Sequence, residues 1–208
     1  FLVSIVAADL NSTRVIVDTA SDGDCSNNCP ALPLAAYVSR SGGFAGINGS
    51  YFCPPDYPAC AGKVNSFDTL LMNRNKVYFN SSNNVYSNVP LVFFSGNSMG
   101  VRGRSADWGR DTGVDSVIAM QTLLVSGGTP TGAVGGKGAK TFIGSKGNMV
   151  YIGVVYGATF NEAGVVLKTM GIDNALNLDQ GGSTALWYGG YKAGPGRNLP
   201  NAVVLVRK

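Results

Sequence analysis

The 208-residue chain contains no histidine. That absence excludes Ser-His-Asp and Cys-His nucleophilic catalysis, histidine-ligated zinc and imidazole acid–base chemistry within this chain. Glutamate is almost missing too: Glu162 is the only one among 12 acidic residues. Acid–base work therefore falls to aspartate, lysine, tyrosine or bound water. Charged residues make up 13% of the chain, about half the usual share. The net charge of +4 is spread thinly, with no run of Lys and Arg forming a basic stripe, so no nucleic-acid partner is expected. No apolar run approaches the roughly 20 residues that span a bilayer, and no signal peptide is visible. The chain opens in mid-strand at Phe1, which leaves room for a signal, an anchor or further domains before it.

What is present points to a core-forming protein. Hydrophobic residues make up 45% and mean hydropathy is +0.11, which argues against disorder. The length fits one domain spanning residues 1–208, and a chain of this size buries about 70% of its unfolded surface. The 29 glycines are about twice the usual share and imply many tight turns between apolar strands.

Four cysteines occur early, as Cys25, Cys29, Cys53 and Cys60. Six residues separate Cys53 from Cys60, a poor fit to the two-to-four-residue spacing of zinc ligand pairs. Disulfides in an oxidising compartment fit better, which predicts a secreted, periplasmic or cell-surface protein. Four cysteines allow three connectivities; the short spacings favour Cys25 with Cys29 and Cys53 with Cys60.

The chain alternates short apolar segments with turn clusters. Phe1 to Ala8 and Arg14 to Asp18 read as a hairpin around Asn11-Ser12-Thr13. Leu34 to Ser39 suits a short helix, and Phe44 to Ile47 a buried strand running into Asn48-Gly49. Thr69 to Met72 and Lys76 to Phe79 form a hairpin, and Thr141 to Ile143 pairs with Met149 to Tyr156. Glycine-rich 127–140 reads as a mobile loop or lid. Glu162 to Met170 is the clearest helix, and Thr159-Phe160-Asn161-Glu162 fits a capping box that occupies the only glutamate. Ala175 to Leu178 and Ala202 to Val206 close the pattern as buried strands. The expected class is a β-rich α+β domain with about ten short strands and two or three helices.

Three segments carry candidate chemistry. In Gly46-Ile47-Asn48-Gly49-Ser50-Tyr51-Phe52, Asn-Gly fits a type I′ hairpin turn, or else presents the Asn48 amide at a strand end to a sugar hydroxyl or phosphate oxygen. In Asn177-Leu178-Asp179-Gln180-Gly181-Gly182-Ser183-Thr184, a buried strand delivers an acid to a glycine turn. There the backbone of Gly181 and Gly182 and the hydroxyls of Ser183 and Thr184 can cradle an anion, although an Asp in a Gly-rich turn is also ordinary loop chemistry. In Lys140-Thr141-Phe142-Ile143-Gly144, a cation enters a strand; a solvated lysine at a strand end is the plainer reading. Asp22 and Asp24 in a polar loop are weak candidate ligands for a divalent cation and equally fit a solvated turn.

Together these segments resemble the phosphodiester glycosidase family. Gly46 to Phe52 is similar to its strand followed by Asn-Gly-Gly-Phe-Phe. Ala175-Leu176-Asn177-Leu178-Asp179-Gln180-Gly181-Gly182-Ser183 is similar to Ala-Leu-Asn-Leu-Asp-Gly-Gly-Gly-Ser, the most specific of the matches. Lys140-Thr141-Phe142-Ile143-Gly144 stands where the family has Arg-Thr-Ala-Ile-Gly, and Arg197 with Pro200-Asn201-Ala202 matches its C-terminal Arg and Pro-Asn-Ala strand. Two departures stand out: a lysine lacks the planar fork of an arginine, and Gln180 puts a side chain where the family keeps open backbone.

The resemblance implies a hydrolase that cleaves a sugar-1-phosphodiester in a glycan or glycoconjugate, with a carbohydrate or phosphorylated glycan as partner. It implies Asp179, Asn48 and Lys140 as catalytic residues. Arg197, Ser183, Thr184, Gly181, Gly182 and Thr141 would bind substrate. A phosphate monoester leaves with little acid assistance, because its second pKa is about 6, so the chemistry needs no histidine. The alternative is a non-catalytic glycan-binding domain of the same fold, associated with exopolysaccharide or cell wall, in which Trp108, Trp187, Tyr188 and Tyr191 stack on sugar rings; core and turn packing explains these aromatics equally well.

Overall fold

The computed structural model describes residues 1–80 and 87–208. Every strand ladder among them is antiparallel, in three sheets. The first sheet runs, in spatial order, β1 (Val3–Asp9), β12 (Met149–Ala158), β11 (Gly138–Lys146), β13 (Asn174–Asn177), β9 (Leu123–Ser126) and β10 (Thr129–Pro130). The second runs β15 (Tyr191–Ala193), β14 (Leu186–Tyr188), β3 (Gly43–Asn48), β16 (Asn201–Arg207) and β2 (Thr13–Thr19). The third runs β5 (Tyr78–Phe79), β4 (Leu71–Met72), β8 (Ser116–Ala119), β6 (Leu91–Ser95) and β7 (Ser98–Arg102).

All three sheets turn apolar faces to one core. Val15 and Val17, Ala45 and Ile47, Ile118, Val92, Ile143, Ile152 and Leu176 belong to the same buried cluster. The outer face of the second sheet is covered by α1 (Leu34–Arg40), which buries Leu34, Tyr37 and Val38. The outer face of the first sheet is covered by α2 (Phe160–Thr169), whose Ala163 and Leu167 pack with Leu124, Phe142 and Val155. Gly164 lets this helix approach closely, since a Cβ there would lie 2.5 Å from the Leu124 carbonyl oxygen. Thr159 and Glu162 close the capping box: Thr159 N–H donates to Glu162 Oε2 at 2.8 Å and Glu162 N–H to Thr159 Oγ1 at 3.2 Å. The only glutamate is thus engaged as a helix cap.

The β-rich class agrees with expectation, and three details do not. First, the described residues form sixteen strands and two helices rather than about ten strands. The surplus consists of pieces of two to five residues, such as β4, β5, β7 and β10, too short for an alternation to register. Second, β1 and β2 are no hairpin: β1 pairs with β12 and β2 with β16. The turn between them is tight, with Ser12 N–H donating to the Asp9 carbonyl at 3.1 Å, but Leu10 is driven into the core and its N–H donates to Asn148 at 2.8 Å. A tight turn serves a corner between sheets as well as a hairpin. Third, Gly127–Gly128 is a two-residue turn at positive φ joining β9 to β10, and Gly138 already begins β11. The glycine-rich loop is therefore confined to the residues between β10 and β11.

Candidate functional site

The site forms where the ends of β3, β11 and β13 meet at the junction of the first two sheets. Leaving β13, Leu178 N–H donates to the Thr141 carbonyl at 2.9 Å and Asp179 N–H to the Gly49 carbonyl at 3.0 Å. The Asp179 carbonyl accepts two donors, Asn48 Nδ2 at 2.6 Å and Thr141 Oγ1. Asn48 Oδ1 in turn accepts from Ala185 N–H at 3.1 Å. Both backbone polar groups of Asp179 are thereby satisfied across sheets, as a buried segment requires.

Asn48 is 0% exposed, and its amide is engaged with protein on both sides. Asn48 fastens the backbone that carries Asp179, and Thr141 does the same from β11. Asn48-Gly49 is no type I′ turn either, since neither residue has positive φ. Gly49 is glycine because a Cβ would fall 1.8 Å from Asn201 Oδ1, which itself accepts Ser50 N–H at 2.8 Å.

Asp179 is 9% exposed. Burial pushes its carboxyl up to about 6 from an ordinary 3.8, against the pull of the Ser183 hydroxyl, the Gln180 N–H and the Arg197 charge; the Asp68 charge pushes it further up. Its Oδ1 accepts Gln180 N–H at 2.8 Å. A carboxyl at about 6 is ionised at neutral pH yet still a useful base.

Asp179 lines a pocket of about 300 Å³ with Ser183, Arg197, Gln180, Asp68, Tyr51, Tyr57 and the Cys53 and Cys60 disulfide. Arg197 Nη1 donates to Asp56 Oδ1 at 2.9 Å, and its guanidinium lies 5.6 Å from the Tyr57 ring centre. A Cβ at Gly182 would come within 2.3 Å of Arg197 Nη2, so a larger residue there would push the guanidinium aside. Gly181 turns the chain at φ +64°, and both glycines leave exposed backbone beside the arginine.

Two expected residues stand back from the pocket. Lys140 is 4% exposed; its Nζ donates to Gln180 Oε1 at 2.9 Å and sits 4.5 Å above the Phe160 ring. Burial lowers its pKa. Gln180 Nε2 continues the chain of contacts to the Tyr51 hydroxyl at 3.1 Å, so Lys140 reaches the pocket only through Gln180. Thr184 Oγ1 is buried with no hydrogen-bond partner among the described residues, away from the pocket lining.

Sequence reasoning missed Tyr51, Asp56, Tyr57 and Asp68. The signal was the second disulfide: the bonds are Cys25–Cys29 and Cys53–Cys60, and the latter presents Pro54-Pro55-Asp56-Tyr57 at the pocket rim. No group of three or more His, Cys, Asp or Glu is placed to hold a metal among the described residues. The Asp24 carboxylate accepts from Cys25 N–H at 3.0 Å and Asn80 N–H at 2.9 Å. Trp108 is packed on Phe93 and Trp187 edge-on against Tyr191, whereas Tyr188 is exposed beside a separate groove. Among the described residues, no helix is long and apolar enough to cross a membrane.

The phosphodiester glycosidase family model matches residues 41–206, which span β3, β11, β13 and every residue lining the pocket. The chain belongs to the phosphodiester glycosidase family. Comparison with curated proteins finds no match. Among solved structures, the catalytic domain of zebrafish N-acetylglucosamine-1-phosphodiester alpha-N-acetylglucosaminidase, auto-inhibited by its pro-peptide, superposes with a TM-score of 0.74 at 16% identity, over 100% of this chain and 83% of that one. A hypothetical protein from Synechocystis gives 0.62 at 11% identity, over 99% and 59%. A Burkholderia pseudomallei K96243 protein described as exported gives 0.61 at 11% identity, over 98% and 73%. At these identities the likeness is one of fold. This phosphodiester glycosidase fold places the Asp179 strand end in the first sheet and the Asn48 strand end in the second.

Proposed function

We propose that the chain hydrolyses a sugar-1-phosphodiester in a glycan or glycoconjugate. One observation carries this reading: a buried carboxylate poised near neutrality, Asp179, shares a small pocket with the Arg197 guanidinium. Water attacks the anomeric carbon and its proton passes to Asp179. The bond from that carbon to the phosphate oxygen breaks, and the phosphomonoester departs with the bonding electrons. Ionised Asp179 also stabilises positive charge developing on the sugar ring, and Arg197 neutralises the phosphate. Ser183 orients the carboxylate, the exposed backbone of Gly181 and Gly182 supports the phosphate, and Lys140 holds Gln180 at the pocket lip. The two disulfides support an extracytoplasmic location, secreted, periplasmic or cell-surface.

The test is turnover on a panel of sugar-1-phosphodiesters, following release of free sugar and phosphomonoester together. Wild type turning over at least one substrate while Asp179→Asn loses about 10²-fold or more is the expected result. Equal turnover by both proteins would remove Asp179 from the chemistry. A second reading, a glycan-binding domain without turnover, draws on Gln180, whose carboxamide fills the lip between Lys140 and Tyr51. Saccharide binding without release of either product would favour it.

A further inference from the structure

We propose that Asp56 is a charge filter: it occupies Arg197 in the free protein and makes the pocket prefer a singly charged phosphodiester over a doubly charged phosphomonoester. This rests on the sugar-1-phosphodiester reading above. Among the described residues, Arg197 is the only cation lining the pocket, and Asp68 and Asp179 line it too. Asp56 adds a third carboxylate, bonded to Arg197 at 2.9 Å.

The pair is unequally buried. The Asp56 side chain is 60% exposed and that of Arg197 only 23%. Besides Asp56, the guanidinium has the Tyr57 ring centre 5.6 Å away, and Gly182, lacking a side chain, leaves it room. The Arg197 backbone N–H is fixed to the Gly182 carbonyl at 2.8 Å. An incoming phosphate can therefore displace the Asp56 carboxylate into water while the guanidinium stays in place. Once displaced, Asp56 remains on the loop closed by Cys53 and Cys60, so its charge stays near the bound anion. A phosphodiester carries one negative charge, whereas a phosphomonoester carries about 1.5 to 2 at neutral pH. The repulsion therefore falls harder on the product than on the substrate, which speeds product release.

The experiment compares wild type, Asp56→Asn and Asp56→Glu, all as intact disulfide-bonded chains. Inhibition by the phosphomonoester product and the KM for the phosphodiester are read at low and high salt. In Asp56→Asn the product should bind about three- to fivefold more tightly and the KM should fall by about twofold or less. Both effects should shrink in high salt, and Asp56→Glu should behave as wild type. Weaker binding of both ligands in Asp56→Asn would make Asp56 a positioning residue for Arg197 and overturn the filter. Equal changes for product and substrate, or none, would overturn it too. A wild type that turns over no sugar-1-phosphodiester would overturn the functional reading, and the filter with it.

Discussion

Asp179 concentrates the cost and the use of the site in one side chain. Its carboxyl titrates near about 6 because it is buried, so kcat/KM should rise with pH to a plateau through an apparent pKa of about 6. A profile flat from pH 5 to 8 would show that another group sets the rate. The same shift has a consequence for stability. The folded protein holds the Asp179 proton more tightly than the unfolded chain, so this residue contributes stability that is complete below pH 3.8 and is lost as pH rises through about 6. Asp179→Asn should therefore be more stable than wild type at pH 7, on the order of 2 kcal/mol, with the difference vanishing by pH 3.5. Chemical denaturation at the two pH values measures it. A variant that is less stable at pH 7 would mean that the ionised carboxylate is better solvated than its burial implies. On the proposed reading the residue is costly to fold and useful for chemistry, as active-site groups often are.

Elements act here through their ends. The Lys140–Gln180–Tyr51 chain of contacts links β11 to the segments that follow β13 and β3, so its members should not behave independently. Lys140→Ala and Gln180→Ala should each raise the KM for a phosphodiester, and the double variant should fall short of the sum by about 0.5 kcal/mol or more. Strict additivity in a double-mutant cycle would sever Lys140 from the site. The loop from Cys53 to Cys60 is the other element whose geometry matters. Replacing both cysteines with serine should cost about 2–3 kcal/mol of stability by the chain-entropy argument. It should also raise KM, because the Tyr57 ring loses its fixed place beside Arg197. Replacing Cys25 and Cys29 should cost comparable stability and leave KM alone, since that pair does not line the pocket. Matching KM values in both double variants would contradict this.

At the scale of the molecule, the three sheets share one core cluster, so damage far from the pocket should be felt globally. Ile152 is fully buried in β12, between β1 and β11. Ile152→Ala should cost about 2–5 kcal/mol and lower the midpoint in the same way whether tryptophan fluorescence or circular dichroism follows unfolding. Two separate transitions would show that the sheets do not unfold as a unit. Asn48 belongs to this scale too. Its amide joins the second sheet to the Asp179 carbonyl of the first, so Asn48→Ala leaves a buried carbonyl short of a donor and should cost about 1–3 kcal/mol.

The sequence by itself determined the strand-rich character, the two helices, the capping box at Thr159 and Glu162, and the segments around Asn48, Lys140, Asp179 and Arg197. These are local or compositional properties: a period of two or 3.6, a turn residue at a fixed offset, an acid before glycines. The tertiary structure alone decided that β1 and β2 separate into different sheets, since corner and hairpin use the same turn chemistry. It placed the Asn48 and Lys140 side chains behind the pocket, because side-chain direction depends on which buried group across the sheet junction needs a partner. It also brought Asp56, Tyr57 and Asp68 to Asp179, through a disulfide-closed loop whose sequence shows only prolines, an acid and an aromatic. Contacts between residues more than a hundred positions apart are set by how the sheets pack, and no pattern along the chain encodes that distance.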